Sequence, residues 1–258
     1  MIVATFNANS LRSRIDIVLG WLKEQKPDVL CVQETKVQDK DFPEEAFADS
    51  GYEFVYKGQK SYNGVALFSK GSISDVSFGL DDAPYDEPRM ITAVVDGITI
   101  VNTYVPQGTA PNSEKFQYKL EWFKRLKKYF ERNFSPDEPV LWMGDLNVAM
   151  EARDVHNAET VWGSVCYCQE SLDAITDVVG WGFTDVFRVH NQEDGQYTFW
   201  DYRVPNGFKR NMGWRLDYIM ASTPLAEKCV RCWVDKEPRG KVKPSDHTFL
   251  LAEFDLGF

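Results

Sequence analysis

The chain has 258 residues, of which 43% are hydrophobic, 26% charged and 14% aromatic, including eight Trp. This composition excludes a disordered or collagen-like polymer and can fill a sizeable core. A net charge of −10 excludes nucleic-acid binding by bulk charge, so a phosphate partner must be held by a local patch or through a metal ion.

The length fits one large domain, and no Gly/Ser-rich or Pro-rich linker or internal repeat divides it, so residues 1–258 are expected to fold as a single unit. No apolar run reaches the ~20 residues of a membrane span. The first residues, MIVATFNANS, lack the basic and apolar regions of a secretory leader. The five Cys have no disulfide rhythm, and the CxC at Cys166 and Cys168 has the wrong spacing to join the CxxC at Cys229 and Cys232 around zinc. Reduced thiols and a cytoplasmic location are the expectation.

In chain order, the first strand is Ile2–Phe6, ending on Asn7 and Asn9. Ile15, Val18, Leu19 and Leu22 then recur at helical spacing, and the helix must stop before Pro27. Val29–Gln33 reads as a strand that runs into Glu34. Gly64–Ser69, Ile91–Val95 and Thr99–Val105 follow, the last carrying Tyr104. Phe116, Leu120, Phe123 and Phe130 mark a second helix that starts near Ser113. Val140–Met143 runs into Gly144, Asp145 and Asn147. Phe199, Trp200 and Tyr202 lie along an expected strand. Leu216–Met220 carries Asp217, and Ser245-Asp246-His247 precedes the strand Phe249–Phe254. Strands outnumber helices and mix hairpins with βα units, which predicts two layered sheets with helices outside, a mixed α/β sandwich.

The polar residues after these strands are mostly carboxylates and amides, hard oxygen donors suited to Mg²⁺ or Mn²⁺. Taken singly, each has a structural explanation: an Asn in a turn, a Glu capping a helix, a buried Asp bonded to backbone, a packed Tyr or His. Their recurrence after separate strands argues instead for one site on a rigid scaffold.

The segments FNANSLRSR, PDVLCVQETK, NGVALFSK, NTYVPQG, WMGDLNVA, YTFWDYR, NMGWRLDYIM and PSDH occur in this order over almost the whole chain. Together they resemble the exonuclease III family of apurinic/apyrimidinic endonucleases, within the endonuclease–exonuclease–phosphatase superfamily. QET, GDLN and SDH mark the superfamily; YTFWDYR and GWRLDY mark the DNA-repair branch. The resemblance implies a four-layered α/β sandwich, two packed mixed β-sheets flanked by helices, with strand ends converging on a metal-dependent cleft. It implies Glu34 as the principal metal ligand, with Asn7, Asp145, Asn147, Asp246 and His247 in the metal and phosphate network. Asp145 activates the attacking water or protonates the leaving oxygen, and Asn147 orients the water or the phosphate. Tyr104 and His247 contact the phosphate, Asp217 orients His247, and Asn9 and Lys36 lie near the metal or the DNA backbone. Whether Asp145 or His247 is the base stays open.

Phe199, Trp214 and Leu216 match positions that wall a pocket for a flipped-out abasic sugar, which a normal nucleotide would not fit. Lys and Arg outnumber Asp and Glu between Arg203 and Lys243. There Arg203, Lys209, Arg210 and Arg215 are the candidates for DNA phosphates, and Arg203 for insertion into the duplex. Lys115, Lys119, Lys124, Arg125, Lys127, Lys128 and Arg132 read as the solvated face of the second helix. The function implied is Mg²⁺-dependent cleavage 5′ to abasic sites, leaving a 3′-hydroxyl, with 3′→5′ exonuclease and 3′-end-cleaning activity. The partner implied is duplex DNA with abasic sites or blocked 3′ ends, acted on by a monomer away from any membrane. A phosphatase of inositol phosphates or lipids, and a binding module without catalysis, are the competing readings. The first lacks an amphipathic membrane segment, and the second leaves every filled catalytic position unexplained.

Overall fold

The computed structural model describes every residue except Asp86 and Phe258. Twelve strands are present among the described residues: β1 (Ile2–Asn7), β2 (Val29–Gln33), β3 (Glu53–Lys57), β4 (Val65–Ser69), β5 (Ile73–Phe78), β6 (Met90–Val95), β7 (Ile98–Tyr104), β8 (Val140–Asp145), β9 (Phe183–Asp185), β10 (Asp217–Ser222), β11 (Cys229–Asp235) and β12 (Phe249–Phe254). They form two six-stranded sheets, in the orders β11-β12-β1-β2-β4-β3 and β5-β6-β7-β8-β10-β9.

Both sheets follow one scheme. The central pairs, β1 with β2 and β7 with β8, are parallel, and every other pairing is antiparallel. A parallel pair needs a crossover, supplied here by the helices Ile15–Gln25 and Glu114–Asn133. The chain begins in the first sheet, builds the second, and returns to complete the first with β11 and β12. No sequence repeat announces this structural one.

Alternation along the strands builds the layers. Val3, Val29, Cys31, Leu141, Met143, Ile219 and Leu250 face between the sheets. Ala4, Phe6, Leu30, Val32 and Leu251 point the other way, against Val18, Trp21 and Leu22 of the first helix. Val140, Trp142 and Tyr218 pack under Phe123, Leu126 and Phe130 of the helix Glu114–Asn133 and under Ile175 and Val178 of the helix Gln169–Val179. The product is the four-layered α/β sandwich. Each large side chain buried in it contributes about 1.5–3 kcal/mol.

The helix ends carry their expected signals. Ser113 caps Glu114–Asn133, its Oγ accepting from the Phe116 amide at 3.1 Å. Lys26, left-handed at φ 48°, closes Ile15–Gln25 ahead of Pro27. Three readings need correction. Trp200 and Tyr202 lie in no strand; Phe199 makes only single-residue bridges, and residues 202–211 are turns. Lys119 and Arg125 are buried on the helix face read as solvated. Arg215 is fully buried, its guanidinium on Asp154 and Asp185, and faces no DNA phosphate. All five cysteines are free thiols.

Candidate active site

The site forms where both sheets end on the same side. Tyr104 closes β7, Asp145 closes β8 and Asp217 opens β10, and these three stand side by side in register. Asn7 closes β1 opposite Gln33, the last residue of β2. Gly144 makes the close approach possible: at φ +139° it sits so near the Thr103 carbonyl that a Cβ would lie 1.9 Å from it. Glu34 and Asn147, directly beyond these strands, take left-handed backbone at φ 49° and 50°. That conformation costs a side-chain-bearing residue of order 1 kcal/mol or more and places both side chains over the strand ends.

Asn7 joins the two sheets. Its Nδ2 donates to Glu34 Oε1 at 2.9 Å and to Asp145 Oδ2 at 2.8 Å, while its Oδ1 accepts from the Asn9 amide at 2.9 Å. Asn9 donates to Asp246 Oδ1 at 2.9 Å, and Lys36 donates to Asn9 Oδ1. The Lys36 ammonium lies 2.8 Å from Glu34 Oε2. His247 sits between two carboxylates, with Nδ1 2.8 Å from Asp217 Oδ2 and Nε2 3.7 Å from Asp145 Oδ2.

Asn147 is held on three sides. Its amide donates to Asp145 Oδ1 at 2.9 Å, its Nδ2 to the Val105 carbonyl at 2.9 Å, and its own carbonyl accepts from Lys119 at 2.8 Å. With Nδ2 on the Val105 carbonyl, its Oδ1 is the atom left for the cleft, meeting among the described residues only the Cys166 thiol at 4.0 Å. Asn147 therefore offers an acceptor there.

The electrostatics follow from crowding acids in a buried space. Burial pushes the Asp145 carboxyl up to about 7; His247 draws it down, and Asp217 and Glu34 push it back up. Burial alone would lower the His247 imidazole, but Asp217 first and Asp145 second hold it charged, up to about 10. Burial also raises Glu34, yet the charge and hydrogen bond of Lys36 leave its carboxyl below the ordinary range. Burial, then Glu34 and Asp145, keep Tyr104 a neutral phenol.

A cavity of about 500 Å³ opens above this floor. Glu34, Tyr104, Asp145, Asn147, Asp246 and His247 line its polar side, and Phe199, Trp214 and Leu216 its apolar side, with Arg203 at the mouth. A short ladder assembles the apolar wall: Trp214 bridges to Val155 and to Phe199, and Phe199 bridges on to His247. The Phe199 and His247 rings lie 4.8 Å apart. Thr198 Oγ1 accepts from the amides of Leu216 and Asp217, tying wall to floor. Gly213 permits the crossing, since a Cβ there would lie 2.6 Å from Trp200 Nε1.

Asn7, Asn9, Lys36 and Asp217 support this floor from behind. Lys209 and Arg210 are exposed on the 202–211 turns and do not line the cavity. Arg203 is exposed and paired with Asp201 at 2.6 Å. Sequence reasoning missed Lys119, whose helical spacing from Phe116 and Phe123 was the available signal of burial.

The oxygens of Glu34 and Asp145, bridged by one amide, suit a hard divalent cation. Asp145, Asp217 and His247 also bring one ligand atom each within 4.8 Å of one another. The hydrogen bond to Asp217 already occupies His247 Nδ1, which favours the Glu34–Asp145 side.

Residues 4–247 match the model of the Endonuclease/Exonuclease/phosphatase family. The chain belongs to that family. Exodeoxyribonuclease III of Haemophilus influenzae is 32% identical over 97% of this chain and 98% of its own length. An AP endonuclease structure from Archaeoglobus fulgidus is 48% identical, with a TM-score of 0.97 over 99% of this chain and 100% of that one. The 3′ phosphatase NExo from Neisseria, solved with a product DNA hairpin, is 34% identical, with a TM-score of 0.94 over 99% of each chain. Within the family this chain is an enzyme of the exonuclease III and AP endonuclease branch, the DNA-repair nucleases.

Proposed function

We propose that this enzyme is a Mg²⁺-dependent endonuclease that cuts the phosphodiester 5′ to an abasic site in duplex DNA and leaves a 3′-hydroxyl. The same site performs 3′→5′ exonuclease and 3′-phosphodiesterase and phosphatase cleavage, with Mn²⁺ as the alternative ion. One observation carries the reading: Glu34, Asp145 and His247 meet on the floor of a single cavity whose wall is Phe199, Trp214 and Leu216. The likeness to the Archaeoglobus AP endonuclease and to the Neisseria 3′ phosphatase supports its two halves.

Glu34 and Asp145 would hold the ion, with Asp246 nearby in the same cavity, and the ion would supply positive charge that offsets the anionic phosphate. The protein's own groups do the rest. His247, kept protonated by Asp217, donates Nε2–H to a phosphate oxygen. Tyr104 donates a second hydrogen bond from a hydroxyl that stays neutral. Both act where negative charge grows in the transition state. Asn147 Oδ1 accepts from the attacking water and fixes its approach in line with the leaving oxygen. Asp145, whose Oδ1 already anchors the Asn147 amide beside the water, accepts the water's proton, because the charged imidazole has no free lone pair to do so. The apolar wall admits a sugar without a base and excludes a whole nucleotide. Arg203, Lys209 and Arg210 reach the DNA backbone or the gap at the lesion.

The test is a duplex with one abasic analogue, incubated with and without Mg²⁺, beside a duplex ending in a 3′-phosphate. A nick 5′ to the lesion with a 3′-hydroxyl product, dependent on the ion, is expected. Phosphate release from inositol polyphosphates without any nick would overturn the reading.

A further inference from the structure

The helix Glu114–Asn133 presents Lys119 to the protein interior, where the residue is fully buried. Its Nζ donates to the carbonyls of Val165 at 2.5 Å and Asn147 at 2.8 Å, and more weakly to that of Gln107 at 3.4 Å. Among the described residues no carboxylate pairs with it at salt-bridge distance; burial lowers its affinity for the proton, and Cys166, Cys168 and then Asp145 act against that only through longer-range charge. An ammonium removed from water costs several kcal/mol and is rarely satisfied by neutral carbonyls alone. A Leu or Met there would fill the space without that cost, so packing does not account for a lysine.

The three carbonyls belong to three separate loops. Gln107 lies beyond β7, Asn147 beyond β8, and Val165 in the segment Ser164–Cys166 that lines the same cavity. Asn147 is otherwise anchored to Asp145 and Val105, both on the sheet side. The Val165–Cys166 segment reaches the Asn147 turn through one backbone bond, from the Ala149 amide to the Cys166 carbonyl at 2.8 Å, and through the long 4.0 Å contact of the Cys166 thiol with Asn147 Oδ1. Lys119 is the one side chain among the described contacts that grips all three loops.

We propose that Lys119 is a positioning residue of the active site, whose ammonium sets the Asn147 turn and the Val165–Cys166 wall at fixed separation. This rests on the assignment of the cavity as the nuclease site. Lys119 touches no substrate; it acts through the Asn147 carbonyl on the neighbouring Oδ1 that orients water. Displacement of a catalytic group by about 1 Å costs up to about 100-fold in rate.

The experiment measures kcat and KM separately on an abasic-analogue duplex in saturating Mg²⁺, for the parent, Lys119→Met and Lys119→Gln. Met keeps the volume and removes the charge; Gln also removes the charge but keeps an amide NH2 that can donate within the cluster. Each variant's thermal midpoint is measured, and the assay is run well below it. The expected result is a kcat at least about tenfold lower in both, Gln less affected than Met, with KM changed by less than about threefold. Faster alkylation of Cys166, read by peptide mass, is expected beside it, because the wall is released. A lowered thermal midpoint with parental kcat would show a purely structural lysine and overturn the proposal, as would failure of both variants to fold. A parent that does not nick the abasic duplex would refute the nuclease assignment instead, a separate outcome.

Discussion

Asp217 and His247, thirty residues apart in the chain, are joined by a 2.8 Å hydrogen bond from imidazole Nδ1 to carboxylate Oδ2. The bond turns Nε2 toward Asp145 and the cavity, and it fixes the ring as a cation. An isolated, solvated His loses its proton near its ordinary value of 6.5; this one holds it up to about 10. The pairing makes His247 a donor to phosphate across the neutral range.

Asp217→Asn should therefore reshape the pH profile. Removing the carboxylate removes the strongest influence that raises the imidazole, so the charged form is lost at lower pH. The alkaline fall of kcat should move to lower pH, with kcat at neutrality at least about tenfold down. An alkaline limb unchanged from the parent would contradict the assigned role.

Asp154→Asn tests what holds the pocket wall. Asp154 is fully buried and accepts from Arg215 through both carboxylate oxygens, at 2.7 and 3.0 Å, and from Arg188. Arg215 stands between Trp214 and Leu216 and turns inward while they face the cavity. Halving this network should destabilise the fold by about 3–5 kcal/mol, read from urea unfolding. Burial would raise the Asp154 carboxyl, but Arg215 and Arg188 hold it below its ordinary 3.8. Its contribution is thus complete above the unfolded-state value and is lost as pH falls through the lower folded one. The parent should lose stability steeply below about pH 4, and the variant less so.

Trp214→Ala and Leu216→Ala should widen the slot. The preference in kcat/KM for an abasic over an intact nucleotide should fall by about tenfold or more, while cleavage of a 3′-phosphate end stays near the parental rate. Equal losses on both substrates would mean that the wall supports the floor rather than selects the lesion.

What the sequence made legible follows burial. Strands such as Val29–Gln33 and Val140–Asp145 are buried throughout and read as short apolar runs. The groups that end them, Glu34 and Asp145, were visible as polar residues at fixed places. Edge strands were not: Ile73–Phe78 is mostly exposed and carries Ser and Asp, and Cys229–Asp235 is broken by a register shift. Lys119 and Arg215 were misread for one reason. A buried cation is recognised by its partners, and these come from distant segments, Asn147 and Val165 for one and Asp154 and Asp185 for the other. The 202–211 loop resisted for the opposite reason, since Trp200 ahead of it and Tyr202 at its start imitate a strand while Asn206, Gly207 and Asn211 make turns.

The most direct measurement is single-turnover cleavage of an abasic-analogue duplex by Glu34→Ala and Asp145→Ala in saturating Mg²⁺, with folding checked by thermal melting. Convergence of these carboxylates on one phosphate predicts at least about a 100-fold loss of rate in each variant. A folded variant of either kind that cuts at the parental rate would contradict it.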